Sequence, residues 1–324
     1  MNKLFTLTAL GTILAASAAN AAGFHLREQS PAAQGNAFAG ATAGAENASY
    51  AYFNVAGLTR QKGTQINMGG TYIAPEASAS NIQGTVGEKG EIQNIVHSAV
   101  APNGTVSYQL NDDVTLGVAL NIPFGMITKH NPNWAGAAHG DTSRVTAVTT
   151  TPMVAWKATD KLSIGAGLPI QYVRARLTST GSAVHGDTVD IGYQLGALYE
   201  FTDATRVGVA YRSEINHKIK GKIDSAVPSI NQDIFARLDL PAMLSTGIYH
   251  DINDKWAVMA EYQRVFWSSF DTLDIVGNRS GLLSRTYENW EDSDFFSVGA
   301  SYQIDDQWKA RFGLAYDQGA VKLD

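Results

Sequence analysis

Cysteine is absent from the 324-residue chain. That excludes a disulfide framework and any thiolate metal centre, and it suits a chain that crosses an oxidising periplasm unfolded. Charge is scarce: Asp, Glu, Lys and Arg make up 17% of residues, against about 25% in ordinary soluble domains. The small imbalance is acidic, −6 in formal net charge, so the basic clusters that nucleic acid requires are missing. Past residue 21 no apolar run reaches the ~20 residues that a membrane helix needs. There is no Gly-x-Ser-x-Gly elbow, His-Glu-x-x-His pair, phosphate loop or dinucleotide fingerprint. No catalytic residue, cofactor or metal is therefore expected, and the chain is not read as an enzyme.

What the chain does have is alternation. Even positions from Val114 to Leu120 are large and apolar, and the odd ones small or polar. Leu162, Ile164, Leu168, Ile170 and Tyr172 share one face, with Ser163, Gly165 and Gln171 on the other. The same period of two marks Val189–Phe201, Val207–Tyr211, Phe296–Ile304 and Trp308–Tyr316. A half-buried soluble sandwich alternates as well. Two features favour lipid on the apolar side. Aromatics such as Trp156, Tyr172, Trp256 and Trp308 gather towards strand ends, as in an interfacial girdle. The opposite face mixes charge with glycine, as a filled lumen would.

Short turns at Asn111-Asp112-Asp113, Thr159-Asp160-Lys161, Thr202-Asp203-Ala204, Asn253-Asp254-Lys255 and Asp305-Asp306-Gln307 alternate with longer connections. The longer ones are read at 75–96, 124–143, 178–187, 217–232 and 268–294. That asymmetry predicts an antiparallel transmembrane β-barrel over 61–324, all-β, with short periplasmic turns and long outer loops. About eleven strands are counted, within the range of such barrels. Asn103-Gly104 is either a hairpin or part of one kinked strand.

Met1 to Ala21 has a basic start at Lys3, an apolar core to about Ala16 and Ala19-Asn20-Ala21 as a small-x-small site: a secretory signal peptide. Residues 22–60 show neither period. They are mostly small, with Phe24, Phe38, Tyr52 and Phe53 spaced among them, and read as a helical hatch packed inside the barrel. At the top of a strong strand stands Asn121-Ile122-Pro123-Phe124-Gly125. Proline removes a ladder donor and glycine permits a kink; the alternatives are a break in the wall or a strand that simply ends there. Phe124, Met126, Ile127 and Trp134 form an apolar cluster read as outer loop, suited to ligand capture or to packing the loop on itself. Arg174 and Arg176 are placed to meet a carboxylate head group, although their parity points outward, as snorkelling anchors would. His139-Gly140-Asp141-Thr142 and His185-Gly186-Asp187-Thr188 read as turns handing loops back to strands; the competing reading is a metal site.

Together these stretches resemble the outer-membrane long-chain fatty acid transport family, which includes uptake channels for aromatic hydrocarbons. The resemblance is carried by Gly23-Phe24, Asn54-Val55-Ala56-Gly57-Leu58, Phe124-Gly125 with Trp134-Ala135-Gly136, Tyr211-Arg212-Ser213-Glu214, Leu238-Asp239-Leu240-Pro241 and Trp308 to Asp317. Val55 stands where the family has proline. The resemblance implies passive uptake of long-chain fatty acids or similar hydrophobic compounds across a Gram-negative outer membrane. It also implies capture in outer loops, a pocket lined by Phe24, and sideways release through a break formed by Asn121, Pro123 and Gly125 beside Asn54, Val55 and Ala56. The expected partners are a hydrophobic small molecule and membrane lipid, with a monomeric protein. Alternatives are a monoaromatic hydrocarbon channel, or a surface adhesin or phage-receptor barrel. The family's barrels have about fourteen strands; this chain is expected to lack the last ones and to leave a seam between 63–73 and 308–316.

Overall fold

The alternating stretches become one antiparallel wall wrapped around the N-terminal segment. The computed structural model describes residues 23–82, 90–92, 95–130, 133–135, 137 and 140–321. The stretch 1–21, Gly136 and His139 lie outside the described residues. The wall begins with β1 (Thr64–Ile73) and, past the small hairpin of β2 (Ala79–Ile82) and β3 (Gly90–Ile92), continues in β4 (Ala99–Gln109), β5 (Val114–Lys129) and β6 (Thr142–Lys157). The next six wall strands are each broken into two pieces. They are β7 (Leu162–Gly167) with β8 (Ile170–Ser179), β9 (Ser182–Ile191) with β10 (Gln194–Thr202), and β11 (Thr205–Arg212) with β12 (Ile215–Ser225). Then come β13 (Gln232–Leu240) with β14 (Met243–Asp251), β15 (Trp256–Val265) with β16 (Thr272–Gly277), and β17 (Gly281–Tyr287) with β18 (Ser293–Gln303). The last is β19 (Lys309–Asp317). Counted through their breaks, these are the eleven wall strands expected.

Register is set at the short-turn end. Asn111 Oδ1 accepts from Val114 N at 2.8 Å, Thr159 Oγ1 from Leu162 N at 3.0 Å, Asn253 Oδ1 from Trp256 N at 3.0 Å and Asp305 Oδ1 from Trp308 N at 2.8 Å. A side-chain acceptor closing each turn explains why Asn, Asp and Thr recur there. At the other end the expected long loops at 178–187 and 268–294 are mostly strand, closed by tight turns at 179–182 and 277–281. Asn103-Gly104 is no hairpin either: β4 runs straight through it, Gly104 pairing with Met68.

The two faces of the wall are inverted relative to a water-soluble protein. Met68 is 85% and Leu314 78% exposed on the outside, while Ser107, Thr115, Thr149 and Gln171 are buried on the inside. A continuous outward apolar surface is the face that lipid covers.

Inside, residues 23–60 form α1 (Pro31–Gln34), α2 (Ala41–Gly44) and two 3₁₀ turns at Ala48–Tyr52 and Val55–Arg60. Ser30 caps α1 through its hydroxyl, with Pro31 at the first position, where its missing N–H costs nothing. Wall side chains reach in to hold this hatch. Arg206 donates to the carbonyls of Ala43 and Gly44, each at 2.8 Å, and Arg212 to that of Tyr52 at 2.9 Å. Thr42 N donates to the buried Glu261 carboxylate at 3.0 Å.

Among the described residues no pairing joins β1 to β19. Residues 28–36 lie across both edges from within: Pro31 packs on Gly69 of β1, Thr71 Oγ1 donates to Glu28 O at 3.3 Å, and Asn36 Nδ2 donates to Phe312 O of β19 at 3.2 Å.

Candidate functional site: an interior cavity beside a break in the wall

β5 pairs with β6 along its length but slips register between Asn121 and Phe124. On its other side it pairs with β4 only from Thr115 to Leu120. Above that, β4 residues 99–103 keep β1 as their partner but lose β5. Pro102 sits in this stretch, where an edge tolerates it.

The exposed edge of β5 is completed by the N-terminal segment instead. Leu26 N donates to Pro123 O at 2.8 Å and Gly125 N to Phe24 O at 3.0 Å, with His25 bridged to Phe124 between them. The Gln29 side chain, 1% exposed, acts as a surrogate peptide. It donates to Ile122 O at 2.7 Å and accepts from Ile122 N at 3.1 Å and Asn121 Nδ2 at 3.2 Å. Orphaned backbone groups in hydrocarbon cost several kcal/mol each; residues 24–29 satisfy them here without closing the wall with a strand.

Asn54-Val55-Ala56, expected beside this break, are placed elsewhere. Asn54 Oδ1 caps its 3₁₀ turn by accepting from Ala56 N at 3.0 Å, and Nδ2 donates to Thr42 O at 2.8 Å and Ala197 O at 2.9 Å. The element beds into glycines of β7, β10 and β11: a Cβ on Gly165 would stand 2.6 Å from Ala56 N, and Gly196 and Gly208 are equally close against Asn54 and Thr42. Close backbone approach requires that groove, and the break at β5 offers none.

Phe24 is buried at the centre of an aromatic cluster, with ring centroids 5.0 Å from Trp267, 5.6 Å from Trp290 and 5.9 Å from both Phe124 and Phe270. Above the cluster lies a cavity of about 130 Å³, lined chiefly by Phe24, Met126, Val145, Ala175, Ile219 and Leu238. Glu288 lines it, His185 borders it from a position paired with the outward Arg176, and no lysine or arginine lines it.

Of the residues singled out from sequence, Phe24, Phe124 and Met126 converge here, and Phe124 and Met126 do so from strand β5 rather than an outer loop. Ile127 follows Met126 on the strand and takes the opposite face. Trp134 is in the outer loop, stacked on His130 at 4.3 Å and donating to Gly140 O at 2.9 Å. Arg174 and Arg176 are exposed on the outer face, because β8 keeps unbroken register with β6 and Val173 is the residue that turns in. They do not reach the cavity, so the reading of them as contacts for a lumenal carboxylate is set aside. His185-Gly186-Asp187-Thr188 lies within β9, not in a turn, and among the described residues no group of three or more metal-ligating side chains forms.

Sequence reasoning missed Trp267, Phe270, Trp290 and Gln29. The first three occupy breaks in the wall at 266–271 and 288–292, where alternation fails and a loop is the natural reading. The run Phe266-Trp267-Ser268-Ser269-Phe270 directly after an alternating strand was the available signal.

A plugged β-barrel with a lipid-facing outside, an apolar pocket and a stoppered gap defines a class: outer-membrane channels for hydrophobic molecules. The sequence profile of the family described as "Outer membrane protein transport protein (OMPP1/FadL/TodX)" matches residues 12–323, and the chain belongs to that family. It is 27% identical to the long-chain fatty acid transport protein of Salmonella typhi, over 98% of this chain and 83% of the relative. Its fold is similar to that of a FadL homologue from Pseudomonas aeruginosa, with TM-score 0.77 and 22% identity over 93% of this chain and 82% of that one. It is also similar to the toluene transporter TbuX of Ralstonia pickettii, with TM-score 0.66 and 21% identity over 84% and 82%.

Proposed function

We propose that the protein admits long-chain fatty acids or comparable hydrophobic molecules by passive diffusion, releasing them sideways into the membrane. One observation carries this reading: Phe24 both lines the apolar cavity and, through its backbone, completes the broken edge of β5. A single displacement of residues 24–26 therefore opens the floor of the cavity and unstops the gap. Trp134 at the outer rim offers a first contact. An acyl chain gains about 0.8 kcal/mol for each CH₂ it buries, so a route from pocket to lipid avoids returning that gain to water.

The cavity also supports a second reading. Its volume, about 130 Å³, is near the about 150 Å³ that accommodates benzene in an apolar protein interior, and no cation lines it for a carboxylate. Monoaromatic hydrocarbons fit that description directly; a fatty acid would keep its head group outside the cavity. Quenching of Trp267 and Trp290 fluorescence by a brominated long-chain fatty acid, with toluene as competitor, separates the two. Saturable quenching that disappears in Trp267→Phe/Trp290→Phe is expected. Absence of saturable quenching, with toluene binding intact, would move the assignment to aromatic hydrocarbons.

A further inference from the structure

The two arginines excluded from the cavity belong to a site of their own. On the outer face β6 and β8 pair Arg144 with Arg176, Thr146 with Arg174 and Val148 with Tyr172. These six residues line a cleft of about 280 Å³ that no carboxylate enters. Like charges directly opposite across a strand pair are destabilising, so two guanidiniums facing each other, with a third beside them, give the wall nothing by themselves. Six other arginines are matched: Arg27 with Asp317, Arg60 with Glu200, Arg206 with Asp251, Arg264 with Asp292 and Asp294, Arg285 with Asp274, Arg311 with Glu46. Arg212 and Arg279 donate to the carbonyls of Tyr52 and Asn231 instead, and Arg237, opposite Lys218, forms no ion pair among the described residues. Among the described residues Arg144, Arg174 and Arg176 have no such partner. Asp187 stands opposite Arg174 on β9 without forming an ion pair, and His185, opposite Arg176, is turned to Asp224 at 3.6 Å.

Height identifies the missing anion. Trp156 marks the short-turn end of the apolar face of β6, and Arg144 lies twelve residues further along the strand. At about 3.4 Å per residue and a tilt near 40°, that places Arg144 roughly 31 Å above Trp156. The apolar band of such barrels is about 25 Å tall, so the guanidiniums sit at headgroup level, while Val148 and Tyr172 remain within the band. A ligand with phosphates above and acyl chains below fits both halves of the cleft. We propose that this cleft binds the phosphorylated headgroup of an outer-leaflet glycolipid, with Arg144, Arg174 and Arg176 clasping phosphate and an acyl chain lying on Val148 and Tyr172. Arginine is the side chain suited to that task, since its planar fork pairs with phosphate in bidentate fashion.

The test is native mass spectrometry of the detergent-purified full chain with a bisphosphorylated, hexa-acylated glucosamine disaccharide. Wild type is compared with Arg144→Gln/Arg174→Gln/Arg176→Gln and with a charge-matched control at the opposite end, Lys157→Gln/Lys161→Gln/Lys255→Gln. Expected are a single glycolipid on wild type and control, binding weakened about tenfold or more in the arginine variant, and none of the dephosphorylated glycolipid on any of them. Equal binding by the arginine variant, or equal loss in the control, overturns the proposal. So does displacement by millimolar inorganic phosphate, which would mark a free-anion site, or by oleate, which would make the cleft a subsite for transported ligand. Should the arginine variant fail to assemble, the dephosphorylated glycolipid on wild type decides: binding as tight as the phosphorylated form sinks the idea.

Discussion

At the residue scale, the position of greatest consequence is Phe24, whose ring meets four other aromatic rings while its carbonyl accepts from Gly125. Phe→Ala at buried sites costs about 3–5 kcal/mol, and here the loss falls on the segment that stops the gap. Phe24→Ala should weaken binding of the brominated fatty acid by about tenfold or more, with heat-modifiable migration unchanged; undiminished binding would place the ligand elsewhere. Its neighbour His25 makes docking of that segment sensitive to acid. Burial, reinforced by the positive charges of Arg27 and Arg212, holds its imidazole well below the ordinary value of 6.5, and Nδ1 is buried without a partner. Released into water, the same ring protonates near pH 6.5. The released state therefore takes up the proton that the docked state refuses, and docking is fully favoured above that pH. Below it, docking weakens by up to about tenfold per pH unit until the docked imidazole itself titrates. Protection of the amides of residues 24–29 against hydrogen exchange, corrected for the intrinsic pH dependence of exchange, should fall between pH 7.5 and 5 in wild type and stay flat in His25→Gln. A flat wild-type profile would show that the imidazole is already in contact with water.

At the element scale, the strap of residues 24–29 and the upper half of β5 act as one device. His25 and Phe124 form a narrow antiparallel pair, the bonds from Leu26 and Gly125 lying on either side. Such pairs have Cα atoms about 4.5 Å apart, within reach of a disulfide. The chain has no cysteine of its own, so His25→Cys/Phe124→Cys gives a clean lock. Uptake into cells should be abolished when the pair is oxidised and recover on reduction, the reduced form controlling for loss of the two native side chains. Equal uptake in both redox states would mean that the strap does not gate. Legibility followed the same division. Strands were readable wherever lipid outside and hatch inside imposed a period of two, and Pro123 betrayed the break in β5 by removing a ladder donor. The breaks at 266–271 and 288–292 carry inward aromatics without that period and passed for loops. The seat of Asn54-Val55-Ala56 was not readable at all, because it is chosen by glycines on three wall pieces far along the chain.

At the scale of the molecule, the lumen is filled by residues 23–60, and wall side chains such as Glu261, Arg206 and Gln194 are committed to holding them. Deleting 24–58 should leave a wall that inserts but passes polar solutes, read as swelling of proteoliposomes in sugar solution. It should also lose saturable fatty acid quenching. A tight barrel after the deletion would show that the outer ends of the strands close the lumen unaided.

The way residues 28–36 lie across both free edges has a consequence in time. Arg27 is bonded to Asp317 at 2.7 Å across 290 positions of sequence, and Asn36 to Phe312 across 276. The segment can thus seat on β1 and β5 early, but its bonds to β19 form only once that strand is in place. Closing a loop of that length costs about 2 kcal/mol more than closing one of about 30 residues, so the bonds to β19 are the most costly this segment makes. Its seating therefore has two stages, against β1 and β5 first and against β19 afterwards.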